Sequence, residues 1–293
     1  MEKRSEIKRQ AALSNRAFIL ALLGAVFVSA TVILFFQSIM GLPKGSGRNA
    51  AKDSAKSSSL SGKKTDSKTV RIMANGDLLY HDGLYMSAQK ADGSYDFSEN
   101  FTYVKDWLHQ GDLVLGDFEG TIRSDYPLGG YPLFNAPEAI VPAIKDAGYQ
   151  VVDLAHNHIL DSGLEGVFTT AKAFENHGIS PVGVYTHKNR DKSPILIKEV
   201  KGIKIAILAY SYGFNGLESN LSQKEIDHHL STFDEDKMKA EIKQAEKEAD
   251  ITVVMPQTGI EYQLEPNEEQ VELYHKMVDW GADIIFGRHP HVV

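Results

Sequence analysis

"PEAIVPAIKDAGYQVVDLAHNHILDSG", residues 137–163, holds a helix, a strand and a polar turn in one short run. Pro137 suits a first helical turn and Gly148 can stop the helix. Residues 150–155 (QVVDLA) then read as a strand buried on both faces, since the run is nearly all apolar. Asp153 sits inside it, and His156, Asn157 and His158 arrive directly after it. Residues of these types seldom cluster for packing. At the carboxyl end of a strand in an α/β sheet they stand where ligands gather.

The same texture runs through residues 70–293. Short apolar runs at 70–75, 112–116, 180–184, 194–200, 203–210, 250–255 and 283–287 read as further strands. Helical patterns at 162–177, 234–249 and 266–280 lie between them. In 234–249, Met238, Ile242, Ala245 and Ala249 form one apolar face, and Glu235 stands four residues before Lys239. In 266–280, Pro266 opens the helix, Val271, Tyr274 and Val278 are expected to face the core, and Gly281 closes it. Strands alternating with helices indicate a layered α/β domain.

Polar clusters follow the strands in a regular way. Asp77 follows 70–75, Asp117 and Glu119 follow 112–116, and the His156–His158 trio follows 150–155. Gln257 and Glu261 come after 250–255, and Arg288, His289 and His291 after 283–287. Carboxylates, an Asn, a Gln and imidazoles brought together this way suit a hard-to-borderline divalent cation. Two His at i and i+2 would point the same way if the 289–291 segment is extended. The chain has no cysteine, so thiolate sites, disulfides and cysteine nucleophiles are excluded.

Charge divides the chain. Residues 1–16 carry +3 and residues 44–69 carry +5, so the net −8 leaves −16 on residues 70–293. Nucleic acid is therefore not expected as a partner, because phosphate backbones need a basic footprint.

Residues 17–36, "AFILALLGAVFVSATVILFF", supply about the 20 apolar residues that span a bilayer. The apolar run continues to Met40, longer than a cleaved signal's core, and Lys3, Arg4, Lys8, Arg9 and Arg16 precede it. A cytoplasmic stretch 1–16, an uncleaved transmembrane signal anchor 17–40 and an extracellular remainder are expected. Residues 41–69, rich in Gly, Ser and Lys, read as a flexible linker. At the other end, the apolar "HVV" at 291–293 reads as the start of another strand, which points to a domain continuing past Val293.

The order strand-GD, strand-GD-x-E, strand-HNH and G-R-H-P-H resembles the calcineurin-like metallophosphatase pattern. It is more closely similar to the CapA family of poly-γ-glutamate capsule biosynthesis proteins, on "NGDLLYHDG" (75–83), "GDLVLGDFEGTI" (111–122), residues 134–163, "GIEY" (259–262) and "WGADIIFGRHPHVV" (280–293). The resemblance implies an α/β sandwich of two central β-sheets flanked by helices. It also implies one or two divalent ions (Mn, Fe or Zn) held by Asp77, Asp117, Glu119, Asn157, Gln257, His289 and His291. His158 would be the proton donor and Asp161 its orienting carboxylate. The implied activity is phosphoester hydrolysis in the synthesis of an anionic envelope polymer such as poly-γ-glutamate or polysaccharide. The alternative is a non-catalytic accessory subunit that binds polymer or scaffolds a membrane synthase and export complex. Two departures stand out. Position 79 is Leu, where the superfamily's D-x-H would place a His, with His81 two residues later; and Gln257 replaces a His ligand.

Overall fold

The computed structural model describes residues 67–186 and 195–292, all within one unit spanning Thr65–Val293. The expected cytoplasmic stretch, anchor and nearly all of the linker lie outside the described residues, as does Val293. Among the described residues no helix is long and apolar enough to cross a membrane.

Two four-stranded sheets make the centre. Strands β1 (Ile72–Asp77), β2 (Leu113–Asp117), β3 (Val151–Asp153) and β4 (Ser180–Val182) pair in that order, all parallel. The second sheet runs β5 (Leu196–Val200), β6 (Ile203–Ser211), β7 (Ile251–Gln257) and β8 (Ile284–Ile285). There β5 pairs antiparallel with β6 and the remaining pairs are parallel. Lys201 and Gly202 link β5 to β6 with φ of 53° and 73°, the left-handed pair that a tight hairpin turn requires.

Alternation along each strand decides the layers. Leu113 and Leu115 of β2, Ile205, Ile207 and Ala209 of β6, and Val253 and Met255 of β7 share one core between the sheets. Their neighbours point outward. Val114 and Val152 meet helices α1 (Asp82–Ala88), α2 (Lys105–Leu108), α3 (Ile140–Ala147) and α4 (Gly163–Asn176). Ala206, Leu208, Tyr210 and Val254 meet α6 (Glu235–Glu248) and α7 (Glu268–Trp280). Each fully buried Leu, Ile or Val contributes about 1.5–3 kcal/mol relative to exposure, so both faces of each sheet are held.

The helix ends follow local chemistry, and some expectations need correction. Gly148 closes α3 in the left-handed region (φ 112°). Asn267, not Pro266, caps α7, through a reciprocal box with Gln270. On α7 the buried residues are Gln270, Met277 and Trp280, whereas Val271 and Val278 are exposed. The inward stripe runs through Leu273, Tyr274, Met277 and Trp280, because the bulkier side chains take the face toward α6 and the sheet. Glu235 pairs with Lys276 of α7 at 2.9 Å rather than with Lys239 on its own helix. Helix α5 (Gln223–His229) was not anticipated, although its Ser222–Glu225 capping box is a readable start signal.

Gly183, just past β4, packs tightly against Ala155 and against Ala209 of the second sheet. Its φ is 89°, and a Cβ there would stand 2.6 Å from Ala155 Cβ and 3.1 Å from Ala209 Cβ. Gly183→Ala is expected to lower stability by about 2–4 kcal/mol, adding left-handed strain to overpacking. Urea unfolding measures this, and a loss of only a few tenths of a kcal/mol would contradict the close approach.

Candidate metal centre

The carboxyl ends of β1, β2 and β3 are all aspartates, Asp77, Asp117 and Asp153, and they sit in register. Parallel pairing with common polarity forces them together at one edge of the first sheet. Glu119, two residues past β2, joins them and is fully buried. From the second sheet, the segment after β8 continues alongside Gln257 and delivers Arg288, His289 and His291. The site is therefore built at the carboxyl ends of both sheets.

Arg288 reaches across to the first sheet. Its Nη1 lies 3.1 Å from Asp117 Oδ2, and Nη2 contacts Asp153 and donates to the Ala155 carbonyl at 2.9 Å. Among the described residues, several of the cluster's remaining carboxylate atoms find no donor. Oδ1 of Asp77, Oδ1 of Asp117 and both oxygens of Glu119 are buried without a hydrogen-bond partner, as is Nδ1 of His289. Asp77, Asp117 and Glu119 offer ligand atoms within 4.8 Å of one another, and so do Glu119, His289 and His291. Buried acceptors with no donor are costly. Divalent-cation binding satisfies such acceptors, so each of these two groups, which share Glu119, fits a metal site.

The titrations reflect this crowding. Burial, with Asp77 beside it, pushes the Glu119 carboxyl up to about 8. Burial also raises Asp117, against the pull of Arg288. Asp77 resists its own burial and stays below the usual range, because His291 Nδ1 meets its Oδ2 at 2.7 Å. That contact raises His291. Burial lowers His289, and it lowers His156 much further with Arg288 and His158 near, so His156 stays neutral.

The remaining expected residues fall into two groups. His158 and Asp161 are paired: Asp161 Oδ2 accepts from His158 Nδ1 at 2.7 Å and from the Phe134 backbone N–H at 2.6 Å. His158 Nε2 is 4.0 Å from Glu119 Oε1. Asn157 and Gln257 are turned toward each other. Gln257 Nε2 donates to Asn157 Oδ1 at 2.9 Å, and Gln257 Oε1 accepts from the Asn157 backbone N–H at 2.6 Å. Each side-chain oxygen thus accepts one hydrogen bond within the pair, and Gln257 Oε1 accepts a second from Ser211 Oγ at 3.2 Å. His81 does not stand in for the missing D-x-H His; it is exposed and packs edge-on against Phe134.

Sequence reasoning named Arg288 and Asp153 but gave neither a role. A carboxylate inside an apolar strand is itself a signal, since it needs a buried cation, and Arg288 supplies one. The 289–291 segment is also not extended, contrary to expectation. His289 and His291 have φ of 98° and 55°, and Asn215 and Tyr262 nearby are left-handed too. Non-glycine residues held there cost about 1–3 kcal/mol each and collect at functional sites.

The fold and this carboxylate–histidine cluster define an α/β sandwich with a candidate divalent-cation centre. Residues 71–293 match the family described as "Bacterial capsule synthesis protein PGA_cap", and the chain belongs to that family. It is 33% identical to "Capsule biosynthesis protein CapA" of Bacillus anthracis over 66% of this chain and 48% of the relative. It is 32% identical to "PGA biosynthesis protein CapA" of Bacillus subtilis (strain 168) over 66% and 51% respectively. The chain thus spans about half the length of these relatives. The solved sulfate thiohydrolase SoxB of Termus thermophilus, with glycerol, is similar at a TM-score of 0.39 and 14% identity, over 67% of this chain and 33% of that one. That likeness is too loose to carry an argument.

Stability without metal should depend on pH in a defined direction. The Glu119 carboxyl lies at about 8 when folded and at 4.5 in its ordinary state. Below the lower value it is protonated in both states. Between the two, the unfolded chain ionises and the folded one does not, so stability falls as pH rises. Thermal unfolding of chelator-treated protein is expected to show this fall, and Glu119→Gln to flatten it. Added Mn²⁺ should raise the melting temperature more near pH 8 than near pH 5, and equal gains would contradict the assignment.

Proposed function

We propose that this chain is a membrane-anchored, extracytoplasmic, metal-dependent phosphoesterase-like protein that acts in the synthesis of an anionic capsule or envelope polymer. Family membership supports the capsule role. One observation carries the chemical reading: buried, donorless carboxylate and imidazole atoms converge beside an oriented His–Asp pair. The apolar stretch 17–36, preceded by five basic residues, supports the reading of an anchor with an extracytoplasmic domain.

Asp77, Asp117, Glu119, His289 and His291 would hold the cation. When bound, it supplies Lewis-acid stabilisation of charge on phosphoryl oxygens. The chain's own residues do the rest. Asp161 fixes the proton of His158 on Nδ1 and steadies the imidazolium, so Nε2 faces the centre and gives a proton to a leaving oxygen. The Phe134 N–H holds Asp161 in place for this. A cleft of about 810 Å³, lined by Asp77, Leu264, Tyr274, Arg288, His289 and His291, gives an extended substrate access.

The full chain, purified in detergent with Mn²⁺, is expected to hydrolyse bis(4-nitrophenyl) phosphate. His158→Ala should cut turnover by about 10²–10⁴-fold, and Asp161→Asn by less. The closed Asn157–Gln257 pair favours a second reading, a non-catalytic accessory subunit of a membrane synthase and export complex. Full capsule output in cells carrying only Glu119→Gln or His291→Ala would establish that reading and overturn the first.

A further inference from the structure

We propose that the exposed turn Tyr103–Trp107 rests on the surface of the bilayer, so that the candidate metal centre faces away from the membrane. This rests on the membrane-anchored reading above and gives the anchored domain its orientation.

Two observations place the turn. First, Tyr103 and Trp107 are 93% and 65% exposed, with Val104 between them at 45%, while Phe101 and Leu108 of the same run are buried. Tyr103 and Trp107 stand four residues apart in a helical run, so both rings project to one side. Large rings with one polar group are the side chains that gather where acyl chains meet headgroups. Second, the turn lies where the chain from the proposed anchor enters the domain. The backbone N–H of Arg71, just before β1, donates to Asp112 Oδ2 at 2.9 Å, and Arg71 Nη1 donates to Gln110 Oε1 at 3.4 Å. The Gln110 N–H in turn donates to the Trp107 carbonyl at 3.0 Å. This edge holds the amino ends of β1 and β2, opposite the strand ends that carry Asp77, Asp117 and Asp153. A segment of the length and composition of 41–69 has a reach of about 30 Å. Such a tether holds the turn at a high effective concentration beside the bilayer, so a small patch suffices.

Charge decides which face docks. The rival is the rim of the centre, where Ile260, Tyr262 and Leu264 are also exposed. Between Lys247 and Lys276 there is no Lys or Arg, and Glu261, Glu265, Glu268 and Glu269 stand on or beside that rim. Anionic headgroups repel it. At the opposite edge Lys201 pairs with Asp112, Lys105 pairs with Asp146, and Arg71 offsets one of Glu99 and Asp106. Residues 44–69, which lead into that edge, carry +5. The same headgroups attract them. The cleft beside His289 and His291 then draws its substrate from the aqueous side rather than from lipid headgroups.

Trp107 reports on its own docking, because the chain has two tryptophans and the other, Trp280, packs into the core beneath the second sheet. The full chain is reconstituted in vesicles of phosphatidylcholine and phosphatidylglycerol whose acyl chains are brominated near the headgroup. The bromines are expected to quench the emission that Trp107→Phe removes. Lys68→Gln should lower the docked-to-free ratio about five-fold, and an unchanged ratio would count against the inference. An unquenched Trp107 in a chain that floats with the vesicles would overturn it and leave the anchored reading standing. A chain that does not float with them would overturn both. In a Trp107→Phe background, Leu264→Trp is expected to escape quenching. Quenching of that new ring would put the rim of the centre on the bilayer and overturn the inference.

Discussion

One buried guanidinium joins the two halves of this sandwich. Arg288 belongs to the second sheet, yet its ion pairs are with Asp117 and Asp153 of the first. Apolar packing between the sheets is non-directional and would tolerate sliding. A two-armed ion pair does not. Removing one partner of such a buried pair costs about 3–5 kcal/mol, because the other charge is left stranded. The clamp therefore fixes which strand ends meet, and Asp77, Glu119, His289 and His291 inherit their geometry from it.

Much of this was legible in the chain and some of it was not. Alternation in β2, β6 and β7 and the caps at Gly148 and Gly281 are local signals, so the layers and most helices could be read directly. Val271 and Val278 misled because both lie on an apolar stripe at helical spacing. Only the bulk of Leu273, Met277 and Trp280 decides which stripe turns inward. The strand-end clusters were also readable, since parallel pairing of β1, β2 and β3 must bring Asp77, Asp117 and Asp153 to one edge. How they divide their labour was not. Whether Gln257 points at a cation or at Asn157 depends on a side-chain torsion set by residues 100 positions away. The left-handed backbone at His289 has no signature in a His-Pro-His run.

The departures from the family pattern are mutually consistent. Gln257, where a His ligand would stand, makes a closed amide pair with Asn157. The missing His at position 79 is not replaced by His81, which packs on Phe134 instead. Phe134 then lies between His81 and His158, with ring centroids 4.8 Å and 4.7 Å away. Its backbone N–H meanwhile secures Asp161.

The run Gly287-Arg288-His289-Pro290-His291 assigns neighbouring residues to different tasks with no slack between them. Arg288 turns into the sandwich, while His289 and His291 turn to Glu119. Loops elsewhere on the surface can gain or lose residues at small entropic cost. Here a one-residue insertion before Arg288 would push the guanidinium toward the imidazole position and leave Asp153 stranded in an apolar strand. Changes of length in this stretch would thus be far more damaging than changes of residue type, and relatives diverging freely in sequence should still keep its spacing.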